Sequence, residues 1–190
     1  MSRICYLGLL IMFTLQVAAN CLTPLWAIYT NLIGGDVRDA GIAILIFTWG
    51  TAIFAIAIPL LNKKQKVSSY ILLITGIVVD LFAVILYFFT KDVFALYIIQ
   101  VILALGAGMQ IPPFYFIYER NIKTGNNSIA WGAIDSALYF AIGAGSCISA
   151  YLLYHSGIYS VFLLMISLII LALIFSVIFI KLDSMANKNN

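Results

Sequence analysis

Apolar residues run along this chain in long blocks, separated by short polar breaks at 31–40, 62–66, 91–92, 119–128 and 155–157. Each block holds about 20 residues or more, the length a helix needs to cross roughly 30 Å of hydrocarbon at about 1.5 Å per residue. A membrane β-barrel would instead alternate apolar and polar positions over segments of about 10 residues, and no such alternation occurs. The pattern predicts six membrane-spanning helices in one domain covering residues 1–190, at about 4–30, 41–61, 67–90, 93–118, 129–154 and 158–182. The stretch from Ile98 to Ala150 carries the most small residues, with Gly106, Gly108, Pro112 and Pro113 before its polar break and Gly143 and Gly145 after it.

Polar positions inside these blocks are few. Gln16 and Asn20 lie four apart on one face of the first span, before Pro24 interrupts it. Thr48 and Thr51 mark the second span, and Asp80 sits near the middle of the third. The two-residue break Lys91-Asp92 forces the third and fourth spans to be antiparallel neighbours. The sixth span is almost purely aliphatic and is expected to face lipid, with 183–190 as a polar tail.

Composition agrees with this picture. The 190 residues are 64% hydrophobic and 9% charged, against roughly 25% charged in soluble domains, and the mean hydropathy is +1.12. The net charge of +3 does not point to nucleic acid, because the basic residues gather at the span ends. With both termini cytoplasmic, the inner side carries Arg3, Lys63, Lys64, Lys66, Arg120, Lys123, Lys181 and Lys188, and the outer side only Arg38 and Lys91. Eight against two is a positive-inside bias. The first apolar run is too long for a signal peptide and lacks a small-residue cleavage site. Cys5, Cys21 and Cys147 have no metal-like spacing and read as packing residues.

The first and fourth spans end alike. Pro24-Leu25-Trp26-Ala27-Ile28-Tyr29 is echoed by Pro113-Phe114-Tyr115-Phe116-Ile117-Tyr118, as a three-plus-three repeat of inverted topology would produce. With the fourth and fifth spans in view, the chain resembles one six-helix half of a major facilitator superfamily transporter, half-size or truncated. Gly106, Gly108 and Pro112 are similar to the glycine-rich fourth helix of that family, and Ala130, Gly132 and Gly143 to its fifth. The run Gly145-Ser146-Cys147-Ile148-Ser149-Ala150 resembles an antiporter motif whose proline and paired glycines are replaced, so antiport is not implied. The loop Leu60 to Lys66 lacks the aspartate and glycines of the family's signature between spans two and three.

The resemblance implies a solute cavity lined by spans one and four. Gln16, Asn20, Gln100 and Gln110 are its candidates, and uncharged amides suit a polar or amphipathic solute. The bland alternative is interhelical hydrogen bonding, worth about 0.6 kcal/mol per bond. Asp80 is a proton-coupling candidate, a neutral structural group, or part of a water-accessible site away from the cavity, since the family's third helix is peripheral. Asp135 could pair with Lys63, Lys64 or Arg120 at the inner mouth, as a gate or simply an anchor. Ala133, Ala137, Ala141, Gly145 and Ser149 place a small residue at every fourth position of the fifth span. That ridge serves packing within the half, or against a second half or second copy.

No catalytic constellation, metal spacing or nucleotide motif is present, so neither an enzyme nor a cofactor is expected. The reading is a secondary transporter in the lipid bilayer of a bacterial-type cytoplasmic membrane, moving a small solute together with a second six-helix half, as homodimer or separate chain. The alternative is a non-transporting remnant or scaffold that associates with another membrane protein.

Overall fold

Proline chemistry and capping residues set where the helices begin, bend and stop. The computed structural model describes residues 3–123 and 125–188, without the side chains at 64, 65, 187 and 188. Helix α1 covers Arg3–Asn20 and α2 covers Trp26–Leu32, and a 3₁₀ turn at Thr23–Leu25 joins them into one span. Pro24 has no N–H to continue the ladder. The bonds Cys21 N to Ala18 O (3.3 Å) and Leu25 N to Leu22 O (2.9 Å) keep the backbone satisfied through the break.

Helix α3, Val37–Gln65, opens on a reciprocal cap. The Asp36 carboxylate accepts from Arg38 N (2.7 Å) and Asp39 N (3.2 Å), while Asp39 Oδ2 accepts from Asp36 N (2.8 Å). It ends at Lys66, whose φ of 54° is left-handed. The Asn62 side chain secures the turn, donating to Val67 O (2.8 Å) and accepting from Val67 N (2.7 Å). Helix α4 covers Ser69–Leu86 and passes into a 3₁₀ turn at Tyr87–Phe89. Helix α5, Val93–Arg120, starts on the Asp92 cap and runs unbroken through Pro112 and Pro113. Helices α6, Asn127–Ser156, and α7, Ile158–Lys188, complete six spans.

Helix α5 packs against α3 and α4, α1 packs against α6 and α7, and α4 meets α7 across the middle. Exchanging span one with four, two with five and three with six maps these interfaces onto one another. The packing thus has the symmetry expected of two inverted triplets that have traded their first members.

Close crossings rest on glycine. A Cβ on Gly76 would lie 2.7 Å from Gly106 O, and one on Gly145 would lie 2.6 Å from Val17 O. Small residues allow such approach where lipid supplies little hydrophobic drive.

The α4–α7 seam is fastened at both ends. At one end Tyr87 stacks on Phe162 (centroids 5.4 Å apart) and Tyr29 sets its edge against both rings (5.6 and 5.5 Å). At the other end Asp183 accepts from Tyr70 Oη (2.6 Å) and from Asn121 Nδ2 (2.7 Å), and it pairs with Arg120. Two expectations for the sixth span are corrected here. One face of α7, including Phe162, Met165, Ile169, Ser176 and Phe179, is buried, and only the opposite face is left for lipid. The helix also continues past 182, so Asp183 is a buried ion-pair partner rather than part of a polar tail.

Candidate functional site

Between α1, α3 and α5, with α4 and α7 behind, lies a cavity of about 520 Å³ at membrane depth. Helical periodicity builds its walls. Met12, Gln16 and Asn20 recur at four-residue steps along one face of α1, and Trp26 follows the 3₁₀ turn. Thr48 and Thr51 face it from α3, and Gln100, Leu103, Ala107, Gln110 and Phe114 from α5. Gln16, Asn20, Gln100 and Gln110 therefore share one wall system, and Asp80 joins them from α4.

Asn20 Nδ2 donates to Gln16 Oε1 (3.3 Å) and to Gln16 O (2.9 Å), and Gln100 Nε2 donates to Tyr87 Oη (2.8 Å). Gln110 Nε2 donates to Asp80 Oδ2. These amide donors are thus engaged inside the protein. Asn20 Oδ1 accepts from Thr23 Oγ1 (3.2 Å), whereas Gln110 Oε1, Asp80 Oδ1 and Thr51 Oγ1 are buried without a hydrogen-bond partner among the described residues. Among the described residues no lysine, arginine or histidine lines the cavity, and its titratable side chains are Asp80, Tyr87 and Tyr115.

Asp80 reaches this position because α4 and α5 touch through glycine. Its carboxyl occupies the space that a side chain at Gly106 would fill. The expectation of a peripheral third span is thereby overturned, since Asp80 and Val84 both line the cavity. The physical reason is the Gly76–Gly106 crossing, which draws α4 close enough for a short side chain to pass beside α5. A carboxyl group at mid-membrane depth is costly against lipid, roughly 2.5–3.5 kcal/mol, and Asp80 instead lies inside the bundle against Gln110.

Of the pairings considered for Asp135, those with Lys63 and Arg120 do not form among the described residues. Asp135 is exposed on α6 and makes no ion pair among the described residues; Arg120 is taken by Asp183. The Lys64 side chain lies outside the described residues. On α6, Ala141, Gly145 and Ser149 are buried, and Gly145 lies against α1. Ala133 and Ala137 are half-buried, towards the other end of the helix.

Sequence reasoning missed the Tyr70–Arg120–Asn121–Asp183 cluster, the Tyr87 partner of Gln100, and Gly76. One signal was available for the last: Gly76 precedes Asp80 by one turn, just as Gly106 precedes Gln110. The cluster had no such signal, because its members are distant in sequence and sit at apparent helix ends.

No curated protein matches the chain. The Major Facilitator Superfamily profile matches residues 8–190, from within α1 to the last residue. Six apolar spans, an all-helical fold and this match agree, and the chain belongs to the Major Facilitator Superfamily of membrane transporters.

Proposed function

We propose that the protein is a secondary active transporter moving a small polar or amphipathic solute, with the cavity between α1, α3 and α5 as one side of its binding site. The observation that carries this reading is the cavity itself: about 520 Å³, with four amides and a carboxyl group set among mostly apolar lining residues, in a chain of membrane spans where polar groups are costly against lipid. A volume in this range suits a small organic molecule. Rocking against a second six-span unit, a copy of the chain or a separate half, would complete the site and expose it to each side in turn. Asp80 is the proton-coupling candidate, because it is the one carboxyl group on the wall among the described residues. The excess of basic residues at one set of span ends supports cytoplasmic termini and disfavours an antiparallel pair.

The test is solute-dependent proton movement. The purified chain is reconstituted in proteoliposomes loaded with a pH-sensitive dye and challenged with a panel of amines, amino acids and sugars. At least one solute class should change the internal pH in wild type and fail to do so in Asp80→Asn. If no solute moves protons and single cysteines at Gln16 and Thr51 never react with water-soluble thiol reagents, the cavity is not a transport site.

A further inference from the structure

We infer that the groove between α4 and α7, at the basic end of the bundle, holds an acyl chain of one anionic phospholipid whose phosphate sits at Lys181. The inference does not depend on the central cavity being a transport site. It concerns faces of α4 and α7 that the cavity does not use.

Tyr70, Ile71, Ile74 and Thr75 of α4 and Val177 and Ile180 of α7 enclose a groove of about 330 Å³. None of the six lines the cavity. Ile71 and Val177 are each more than half exposed, so in a bilayer this surface meets hydrocarbon. On α4 the pairs 70–74 and 71–75 are each one turn apart, so that wall runs along the span. A narrow apolar furrow of this kind fits an unbranched hydrocarbon chain.

The mouth of the groove favours an anion. Helix α4 begins there with no acidic residue in its first turn, and a helix N-terminus attracts negative charge. Lys181 follows Ile180 directly and Val177 by one turn; it is exposed and makes no ion pair among the described residues. Arg120 rests its guanidinium on the Tyr70 ring and keeps 32% exposure. The carboxylate of this cluster, Asp183, is 1% exposed and engaged by Arg120, Tyr70 and Asn121. A phosphodiester therefore meets cationic and N–H groups, whereas the ammonium of a zwitterionic headgroup finds this carboxylate covered. Basic pockets between spans at a membrane face bind anionic headgroups for the same reason.

Thr75 ties the furrow to the mouth. Thr14, Thr48 and Thr90 bond their hydroxyls to the carbonyl four residues back. Thr75 is exposed and makes no such bond among the described residues. It lies five residues beyond Tyr70, about 7 Å further into the membrane at about 1.5 Å per residue. At that level the glycerol-ester carbonyls of a phospholipid sit below its phosphate, and they accept the hydrogen bond that hydrocarbon cannot.

The experiment titrates the full chain, purified in a neutral detergent, with dioleoylphosphatidylglycerol or dioleoylphosphatidylcholine. Retained lipid is counted by native mass spectrometry. Phosphatidylglycerol should fill one high-affinity site per chain, about fivefold or more tighter than phosphatidylcholine. Lys181→Gln should remove most of that preference, and Lys181→Arg should keep it. Thr75→Trp, which fills the groove, should weaken both lipids. Lys123→Gln, at an exposed basic residue off the groove, should change neither by more than about twofold, since surface charge acts weakly beyond a Debye length. Equal retention of the two lipids by the wild type overturns the inference, and that comparison needs no variant to fold. Equal losses in Lys181→Gln and Lys123→Gln also overturn it, because they show diffuse attraction rather than a site. Displacement of the lipid by millimolar glycerophosphoglycerol overturns it too, since the chain would then add nothing. Each of these results leaves the transport reading untouched.

Discussion

Arg120 at the end of α5 and Asp183 near the end of α7 form an ion pair in which the aspartate is 1% exposed and the arginine 32%. Tyr70 of α4 donates to the same carboxylate, and its ring lies against the Arg120 guanidinium, 5.4 Å from centroid to Cζ. Three spans that meet nowhere in the sequence are thus held at one point. Asp183→Asn should destabilise the protein by about 1–3 kcal/mol. That is below the cost of breaking a fully buried pair, because Arg120 keeps access to water. Arg120→Lys should cost less, since the charge survives while the planar fork is lost. Unfolding in detergent, followed by helical circular dichroism, measures both, and an unchanged transition in Asp183→Asn would remove the fastening role.

The α4–α5 crossing predicts a contrast between two glycines. Gly76→Ala places a methyl 2.7 Å from Gly106 O and 2.8 Å from Gln110 Cβ, so the helices must separate, at about 1–3 kcal/mol. Gly132→Ala on α6 meets nothing within 4 Å and should be neutral or stabilising by up to about 1 kcal/mol through helix propensity. Melting temperatures of the two variants in the same detergent decide the matter. Equal values would mean that the crossing is not close.

Tyr87→Phe removes the acceptor for Gln100 Nε2, and the Gln100 side chain is 1% exposed. A buried amide without a partner costs about 1–3 kcal/mol. The double variant with Gln100→Leu should recover much of the loss, because both ends of the bond are then apolar. Failure of that rescue would show that the hydroxyl acts on something other than Gln100.

Thiol chemistry reads the packing directly. Cys5 and Cys21 are buried and Cys147 is exposed on α6. In mild detergent N-ethylmaleimide should modify one site per chain, at Cys147, with the other two reacting only on unfolding. Peptide mass spectrometry gives the site, and early modification of Cys21 would contradict the packing around the Pro24 turn.

The α3 cap carries a pH dependence with a definite sign. Hydrogen bonds from Arg38, side chain first, and from the Asp39 backbone hold the Asp36 carboxyl below the usual carboxylate range. A depressed value means that the ionised form is favoured on folding. Its contribution is present above the ordinary carboxylate pKa and is lost as pH falls through the lower folded value. The amide resonances of Arg38 and Asp39 should titrate together with Asp36, below the ordinary range. Titration at the ordinary value would show that the cap is open in solution.

The sequence by itself determined the membrane class and the number of spans, and the family resemblance pointed to the amides of spans one and four. The first two depend on properties local to one stretch of chain: a run long enough to cross hydrocarbon, bounded by polar breaks. Gln16 and Asn20 share a face because of helical periodicity alone. Tertiary structure decided the rest. Asp80 joins the cavity because Gly76 and Gly106, on different helices, let α4 and α5 close up. Asp183 became a buried anchor because its partners Tyr70, Arg120 and Asn121 reach it from two other chain segments. Which polar group pairs with which is fixed by the crossing of helices. That crossing depends on where two distant small residues happen to meet, a relation no single stretch of chain contains.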